Sequence, residues 1–389
     1  MNNDSVQTDA EAVETGHGLR IAPVLLILAL LFGIPWIGLV ATVQWPTAVF
    51  AAATALFAVV VVALPLLMMV GHGRRHIDRA AAVGDGLLGA AWVLFVWTII
   101  GQAARLVLHL FGVDNAGRIA AVATLVVAAA LLIWGYTEAM RVPRVKNVDV
   151  VIPRLGKGLD GLRVVAVTDT HFGPIDRTEW SRGLTDAVNN LDADILCHVG
   201  DIADGTAVQR AAMAAPLAEM RATFARVYVT GNHEYFSEAQ GWLEHMDHLG
   251  WNVLHNRHTI VERGGDRLVV AGIDDATARA SGVAGHGANL AAALDGADPD
   301  LPIFLLAHQP KQIGGAVNTG VDLQISGHTH GGQIWPFNYL VRLDQPVVHG
   351  LSKHGDRTQL YTSRGSGFWG PPFRVFAPSE ITVLTLRSA

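Results

Sequence analysis

Between Ile21 and Met140 the chain runs through four long apolar stretches, roughly Ile21 to Val43, Thr47 to Val70, Leu87 to Ala104 and Ile119 to Met140. Each comes near the ~20 residues that a helix needs to cross the hydrocarbon of a bilayer. The first three contain no Asp, Glu, Lys or Arg, so a water-exposed bundle of Ala-rich helices would have no charged surface to offer solvent. A transmembrane helical region of about four spans is therefore expected over residues 20–140, behind a tail of residues 1–19. Trp36, Trp45, Trp92, Trp97 and Trp134 are of the type that anchors spans at the interface, and Gln44-Trp45-Pro46 reads as a tight connection. The acidic start lacks the basic segment of a cleaved signal peptide. The absence of ionisable groups inside the first three stretches weighs against a transporter.

Arginine placement orients the spans. Arg20 precedes the first, Arg74, Arg75 and Arg79 lie between the second and third, and Arg141, Arg144 and Lys146 follow the fourth, whereas the alternate loops carry only Arg105 and Arg118. An even number of spans with this bias puts both termini inside a cell membrane and the rest of the chain in the cytoplasm.

Composition agrees with two unlike parts. Hydrophobic residues make up 51% of the 389, charged residues 16%, and the mean hydropathy is +0.33. A net charge of −6 leaves no basic footprint for nucleic acid. The single cysteine, Cys197, forms no internal disulfide and suits a small buried position.

Beyond Met140 the pattern changes. Residues 141–160 read as a juxtamembrane linker, and residues 161–389 as one α/β domain. Strand-length apolar runs recur at Leu162 to Val167, Ile195 to Val199, Val227 to Thr230, Leu268 to Ile273, Ile303 to Ala307, Leu323 to Ser326 and Ile381 to Leu386. Helices are expected at Arg177 to Leu191 and Ala207 to Phe224.

Five polar motifs stand directly behind such runs: Asp169-Thr170-His171, Gly200-Asp201, Gly231-Asn232-His233-Glu234, His308, and Gly327-His328-Thr329-His330. In open α/β sheets ligands gather beyond the carboxyl ends of strands, which is where each motif falls. Singly, several have bland readings: Asp201 as a turn residue, His308 as a structural histidine, Asn232-His233 as a solvated turn. Together they offer nitrogen and hard oxygen without sulfur, a set that suits Mn, Fe, Zn or Mg. Two such ions can activate a shared water and clamp phosphoryl oxygens. His198, His245, His248, His255 and His258 are taken as structural or surface groups, His72 and His76 as interfacial, and Asp204 and Asp275 as groups able to support ligands.

The ordered motif set resembles that of the calcineurin-like metallophosphoesterase family, over roughly Leu162 to Leu386. That resemblance implies a four-layer αββα sandwich. It also implies Asp169, His171, Asp201 and His330 around one divalent ion and Asp201, Asn232, His308 and His328 around the other, with His233 catalytic and Glu234 supporting them. Residues Ser363 to Gly367 and Pro371 to Arg374 look like the closing segment of the membrane-associated, YkuE-like branch, with Ser379 where that branch often has proline. The expected activity is membrane-anchored phosphoester hydrolysis by a hydroxide bridging two ions, on a phosphodiester or pyrophosphate of a lipid-like or nucleotide-linked substrate. A phosphoprotein phosphatase is disfavoured because Gly205-Thr206 stands where that branch would carry Arg-Gly. A non-catalytic scaffold and a regulated transporter are the remaining alternatives.

Overall fold

The structure is a computed structural model that describes residues 18–73 and 76–389, with side chains from residue 22 onward. The N-terminal tail, Arg20 as a side chain, Arg74 and Arg75 lie outside what is described. The chain divides into two compact units, Met1–Met69 with Leu87–Leu131, and Val70–Gly86 with Leu132–Ala389.

Four long helices match the expected spans: α1 (Gly18–Trp36, continued by a π-helical turn Ile37–Ala41), α2 (Thr47–His72), α3 (Asp78–Leu110) and α4 (Ala116–Met140). All four are long and apolar enough to cross a membrane. α3 begins well before Leu87, because Asp78 complements the positive helix start and Ala80 to Ala82 favour helix. At ~1.5 Å per residue it is roughly 50 Å long, more than ~30 Å of hydrocarbon requires.

Within the first unit, Leu31, Phe32, Leu64 and Ala91 form one buried cluster and Leu39, Val40, Val43 and Ala121 another. The two arginines of the alternate loops serve nearby backbone: Arg105 donates to the Thr42 carbonyl at 3.1 Å and Arg118 to the Gln44 carbonyl at 3.0 Å. Leu25, Leu56, Val59, Val62, Leu106 and Val126 stay more than half exposed.

The second unit contains twelve strands: β1 (Arg144–Ile152), β2 (Leu162–Val167), β3 (Ile195–Val199), β4 (Ala225–Val229), β5 (Asn252–Val253), β6 (Arg257–Arg263), β7 (Asp266–Gly272), β8 (Ile303–Leu306), β9 (Leu323–Ser326), β10 (Gly350–His354), β11 (Thr358–Thr362) and β12 (Glu380–Ser388). They form two six-stranded sheets, ordered β1-β12-β2-β3-β4-β5 and β10-β11-β9-β8-β7-β6. Its shorter helices are α5 (Thr178–Asn189), α6 (Ala207–Ala214), α7 (Asn232–Ser237), α8 (Ala239–His248), α9 (Leu290–Ala293), α10 (Ile313–Thr319) and α11 (Asn338–Val341).

Strand alternation builds the layers. Val164 and Cys197 of the first sheet share a core with Val270, Phe304 and Ile325 of the second. Their neighbours Val165 and Leu196 face outward onto Leu184 of α5 and Trp242 and Met246 of α8. Val269 and Leu305 pack against Ile313 and Ala316 of α10. The result is helix, sheet, sheet, helix, the expected sandwich.

Two expectations change. Much of the stretch read as linker is strand β1, paired in parallel with β12 from Arg144↔Glu380 to Ile152↔Ser388. As an edge strand it is mostly exposed, so it lacks the apolar run that marks a buried strand. The helix expected over Ala207 to Phe224 stops at Ala214. Pro216 follows, in a 3-10 turn, where a proline cannot continue the hydrogen-bond ladder.

Candidate metal centre

All five motifs meet at one place, fed by the ends of β2, β3 and β4 from one sheet and β8 and β9 from the other. Three ligand-type clusters overlap there: Asp169 with His171 and His330, His171 with Asp201 and His233, and Asp201 with His308 and His328. His308 Nε2 lies 3.1 Å from Asp201 Oδ2, His171 Nε2 3.5 Å from the same oxygen, and His330 Nε2 3.5 Å from Asp169 Oδ1.

The local backbone is bent to achieve this. Asp169, His171, Asp201, His328 and His330 all have positive φ, between 41° and 69°. Left-handed conformations are unfavourable for non-glycine residues and gather at functional sites, where the surrounding fold enforces them. Two glycines let the loops touch. A Cβ on Gly200 would stand 2.5 Å from the Gly231 amide nitrogen, and one on Gly231 would stand 2.2 Å from Asp201 Oδ1.

Polar partners orient four of the imidazoles. Asp204 Oδ1 lies 2.9 Å from His171 Nδ1 and 2.7 Å from His233 Nδ1. His308 donates Nδ1–H to the Val199 carbonyl at 2.7 Å, which turns its Nε2 toward Asp201. That Nε2 closes on Asp201 Oδ2 at 3.1 Å, and the Oδ1 of Asn232 is buried without a hydrogen-bond partner. An orphaned amide oxygen beside an imidazole and a carboxylate fits a divalent cation, since an unpaired buried polar atom is otherwise costly.

Arg374 defines a proton arrangement on the other side. Its Nη2, which can only donate, lies 3.1 Å from His330 Nδ1, so His330 offers Nε2–H to His171 Nε2 at 3.1 Å. His171 in turn gives Nδ1–H to Asp204. A cation between the two Nε2 atoms would take the place of the shared proton.

The electrostatics suit cation binding. Burial pushes the Asp169 carboxyl above its ordinary range, against the pull of His308. Burial acts on Asp201 in the same direction, but His308 and His233 outweigh it and hold that carboxyl well below the ordinary value. Burial, reinforced by His308, lowers His328 to about 3, and burial with His171 and Arg374 lowers His330, so both rings are neutral. His233 goes the other way: burial lowers it, yet Asp201 and Asp204 raise it to about 9, leaving an imidazolium at neutral pH.

Glu234 is fully buried and accepts backbone N–H bonds from Asp201 at 3.0 Å, Ile202 at 2.8 Å and Gly231 at 2.6 Å. It ties the loop after β3 to the loop after β4. Burial and the nearby Asp201 raise it to about 7.

Two arginines had no role in the sequence reading. Arg374, fully buried, donates to the carbonyls of His330, Arg364, Gly367 and Ala377. Arg177 donates to the His171 carbonyl at 2.5 Å and lies over the rings of Trp180 and Phe368 at 4.6 and 4.4 Å. The only signal for Arg374 was the Pro371 to Arg374 segment; nothing in the sequence marked Arg177. Asp275 accepts from Gln309 at 2.9 Å and from Thr277, beside the His308 loop.

Of the other histidines, His198 has its Nε2 3.2 Å from Thr170 Oγ1, within the first motif. His198 is buried against Tyr228 and Trp251. His255 and His286 flank Asp274, whose carboxylate is already satisfied by His255, Asn256 and the Gly287 amide.

The chain is similar to known proteins over this unit. A family model described as calcineurin-like phosphoesterase matches residues 162–332. A Danio rerio transmembrane protein with metallophosphoesterase domain is 36% identical over 275 residues, covering 69% of this chain and 63% of that protein. A Campylobacter jejuni uncharacterized metallophosphoesterase, Cj0846, is 34% identical over 303 residues, covering 76% and 79%. The uncharacterized metallophosphoesterase YkuE of Bacillus subtilis is 28% identical over 239 residues, covering 59% and 81%. The chain spans about three fifths of the length of the first curated relatives it matches.

Proposed function

The chain belongs to the calcineurin-like metallophosphoesterase family, and from that premise we propose that it is a membrane-anchored two-metal phosphohydrolase. Its substrate is a phosphodiester or pyrophosphate of a lipid-like or nucleotide-linked molecule. The observation that carries this reading is the convergence of the five motifs, with Asn232 Oδ1 left as a buried, unpartnered lone-pair donor and His308 Nε2 closing on Asp201.

In this reading Asp169, His171, Asp201 and His330 hold one divalent ion, and Asp201, Asn232, His308 and His328 the other. When bound, the pair supplies an activated water and neutralises phosphoryl oxygens. Asp201 is the shared carboxylate, and the low proton affinity that His308 and His233 impose keeps it ionised. His233 stays clear of the ligand set, held 2.7 Å from Asp204 and charged at neutral pH. It is suited to stabilise charge on a phosphoryl oxygen and to give a proton to the leaving group. Asp204 and Arg374 keep the imidazoles of His171, His233 and His330 in their orientations.

Membrane attachment rests on the four apolar helices, and the cytoplasmic placement of the catalytic unit rests on the arginine bias of the loops. An anchored enzyme meets amphipathic substrates at the surface that holds it, which favours a phospholipid or a lipid-linked nucleotide. The test is purification of the full chain in detergent, measurement of bound metals, and a screen of lipid and nucleotide phosphoesters beside Asp201→Ala and His233→Ala. Loss of hydrolysis in both variants is expected. Undiminished hydrolysis in either would sink the assignment of its residue.

A further inference from the structure

Beside the metal motif, a cavity of about 90 Å³ is lined by Gly331, Asn338, Arg342, His349, Arg364 and Phe376, among others. Measured as the space open to the centre of a water-sized sphere, where one water takes ~10–15 Å³, it has room for a group larger than one water. Gly331 follows His330 directly, so one wall of the cavity is the backbone of the metal site.

The cavity carries two guanidinium groups outside any ion pair. Neither Arg342 nor Arg364 has a carboxylate within ion-pair distance among the described residues. Arg364 Nη2 is 3.5 Å from His349 Nδ1. Burial, Arg364, Arg342 and Lys146 together lower the proton affinity of His349, which places all three cations in its surroundings. Glu380, the carboxylate that His349 feels, accepts hydrogen bonds from Tyr361 at 2.8 Å and Thr382 at 3.2 Å. Asn338 lines the same cavity.

The rim is apolar. Phe337, Tyr339, Leu340, Leu343 and Phe376 are 40 to 84% exposed, an unusual concentration for a surface that meets only water. It continues into the last turns of α4, which belong to the same compact unit. Phe376 packs on Trp134 with ring centroids 5.4 Å apart, Phe373 on Tyr136 at 6.3 Å, and the Arg374 amide donates to the Gly135 carbonyl at 2.9 Å. Trp134 and Tyr136 are the residue types that favour the headgroup level of a bilayer.

We propose that the Arg342–His349–Arg364 cavity is a binding site for the phosphate of an anionic glycerophospholipid headgroup, with the apolar rim lying against its acyl chains. It rests on the reading of a lipid-like substrate above and deepens it: the site holds a phosphate beside, and distinct from, the one at the metals. Planar guanidinium groups are suited to phosphate.

The test uses the full-length protein in neutral detergent micelles, with metals chelated by EDTA, and native mass spectrometry to read bound lipid. The probes are dioctanoyl phosphatidylglycerol, dioctanoylglycerol with the same tails and no phosphate, and inorganic phosphate. Phosphatidylglycerol should bind, and Arg342→Gln and Arg364→Gln should each weaken it roughly tenfold, as loss of a charge-assisted contact does. Arg342 is exposed, so its replacement leaves packing intact and guards against a folding artefact at Arg364. Equal binding of dioctanoylglycerol, equal affinity for inorganic phosphate, or binding unchanged in both variants would each overturn the proposal. Chelation separates the two readings. A protein that cuts no phosphoester yet binds phosphatidylglycerol through these arginines overturns the proposed function alone; one that hydrolyses phosphoesters but binds the lipid without them overturns this inference alone.

Discussion

Leu56, Val59 and Val62 on α2 are 59 to 64% exposed, whereas Val164, Val165 and Val167 on β2 are fully buried. The same kinds of side chain thus meet opposite surroundings in the two units. In the sandwich, apolar residues escape water by packing sheet on sheet and sheet on helix. In the helical unit they face outward along helices of 25 residues or so, an arrangement stable only where the solvent is itself apolar. Chemistry is segregated in the same way. The carboxylates and imidazoles of the metal centre lie in the second unit, and among the described residues the first unit holds no such cluster.

The sharpest break of this contrast would come from Asp201→Ala. Removing the shared carboxylate should take hydrolysis of bis(p-nitrophenyl) phosphate to background and reduce bound metal, while the protein still requires detergent for extraction. Activity within tenfold of wild type would dissociate the chemistry from the sandwich.

His233→Gln should lower kcat by roughly 10² to 10⁴ with metal content retained. The pH profile sharpens the point. Because Asp201 and Asp204 raise His233 to about 9, its acid form is lost as pH rises, and kcat should fall along a limb at or below pH 9, since bound cations oppose the imidazolium. His233→Gln should lack that limb. For the fold the same shift is stabilising below the ordinary value of 6.5, and that contribution fades as pH climbs through about 9.

On the helical side, Val59→Arg puts a charge at the middle of α2, a cost of roughly 2.5 to 3.5 kcal/mol for insertion. The carbonate-resistant membrane fraction should drop, with metal binding by the extracted protein unchanged. Asp204→Asn should weaken metal affinity by about 10- to 100-fold, read by metal titration, because His171 loses the carboxylate that fixes its ring. Smallest of all, Val151→Arg on the exposed edge strand β1 should alter the melting midpoint by no more than about 0.5 kcal/mol equivalent. A large effect there would mean that β1 contributes more than an edge.

How much of this was legible varies with burial. The central strands β2, β3, β8 and β9 were readable because both faces are covered, so apolar side chains dominate each of them. Five strands escaped notice: β11, an inner strand beside β9, and β1, β5, β6 and β10, the edges of the two sheets. There one side of the backbone is unpaired and half the side chains meet solvent, so the apolar signal disappears. The site shows the same division. Asp169, His171, Asp201, Asn232, His308, His328 and His330 were nameable from residue type and place behind a strand. Arg177 and Arg374 were not, because a buried arginine that binds backbone carbonyls leaves no spacing pattern.

The sequence by itself determined that this chain has an apolar helical part and an α/β part, since periodicity, run length and charge placement are local properties. It also determined which side chains are available to hold metal. Only the tertiary structure decided that loops from two different sheets meet within hydrogen-bonding distance, that five of those residues adopt left-handed backbone, and that Asp204 serves both His171 and His233. It alone brought Arg342, His349 and Arg364 around one cavity. Such contacts join residues far apart in the chain, and their geometry is set by the packing of two sheets, which no local pattern encodes.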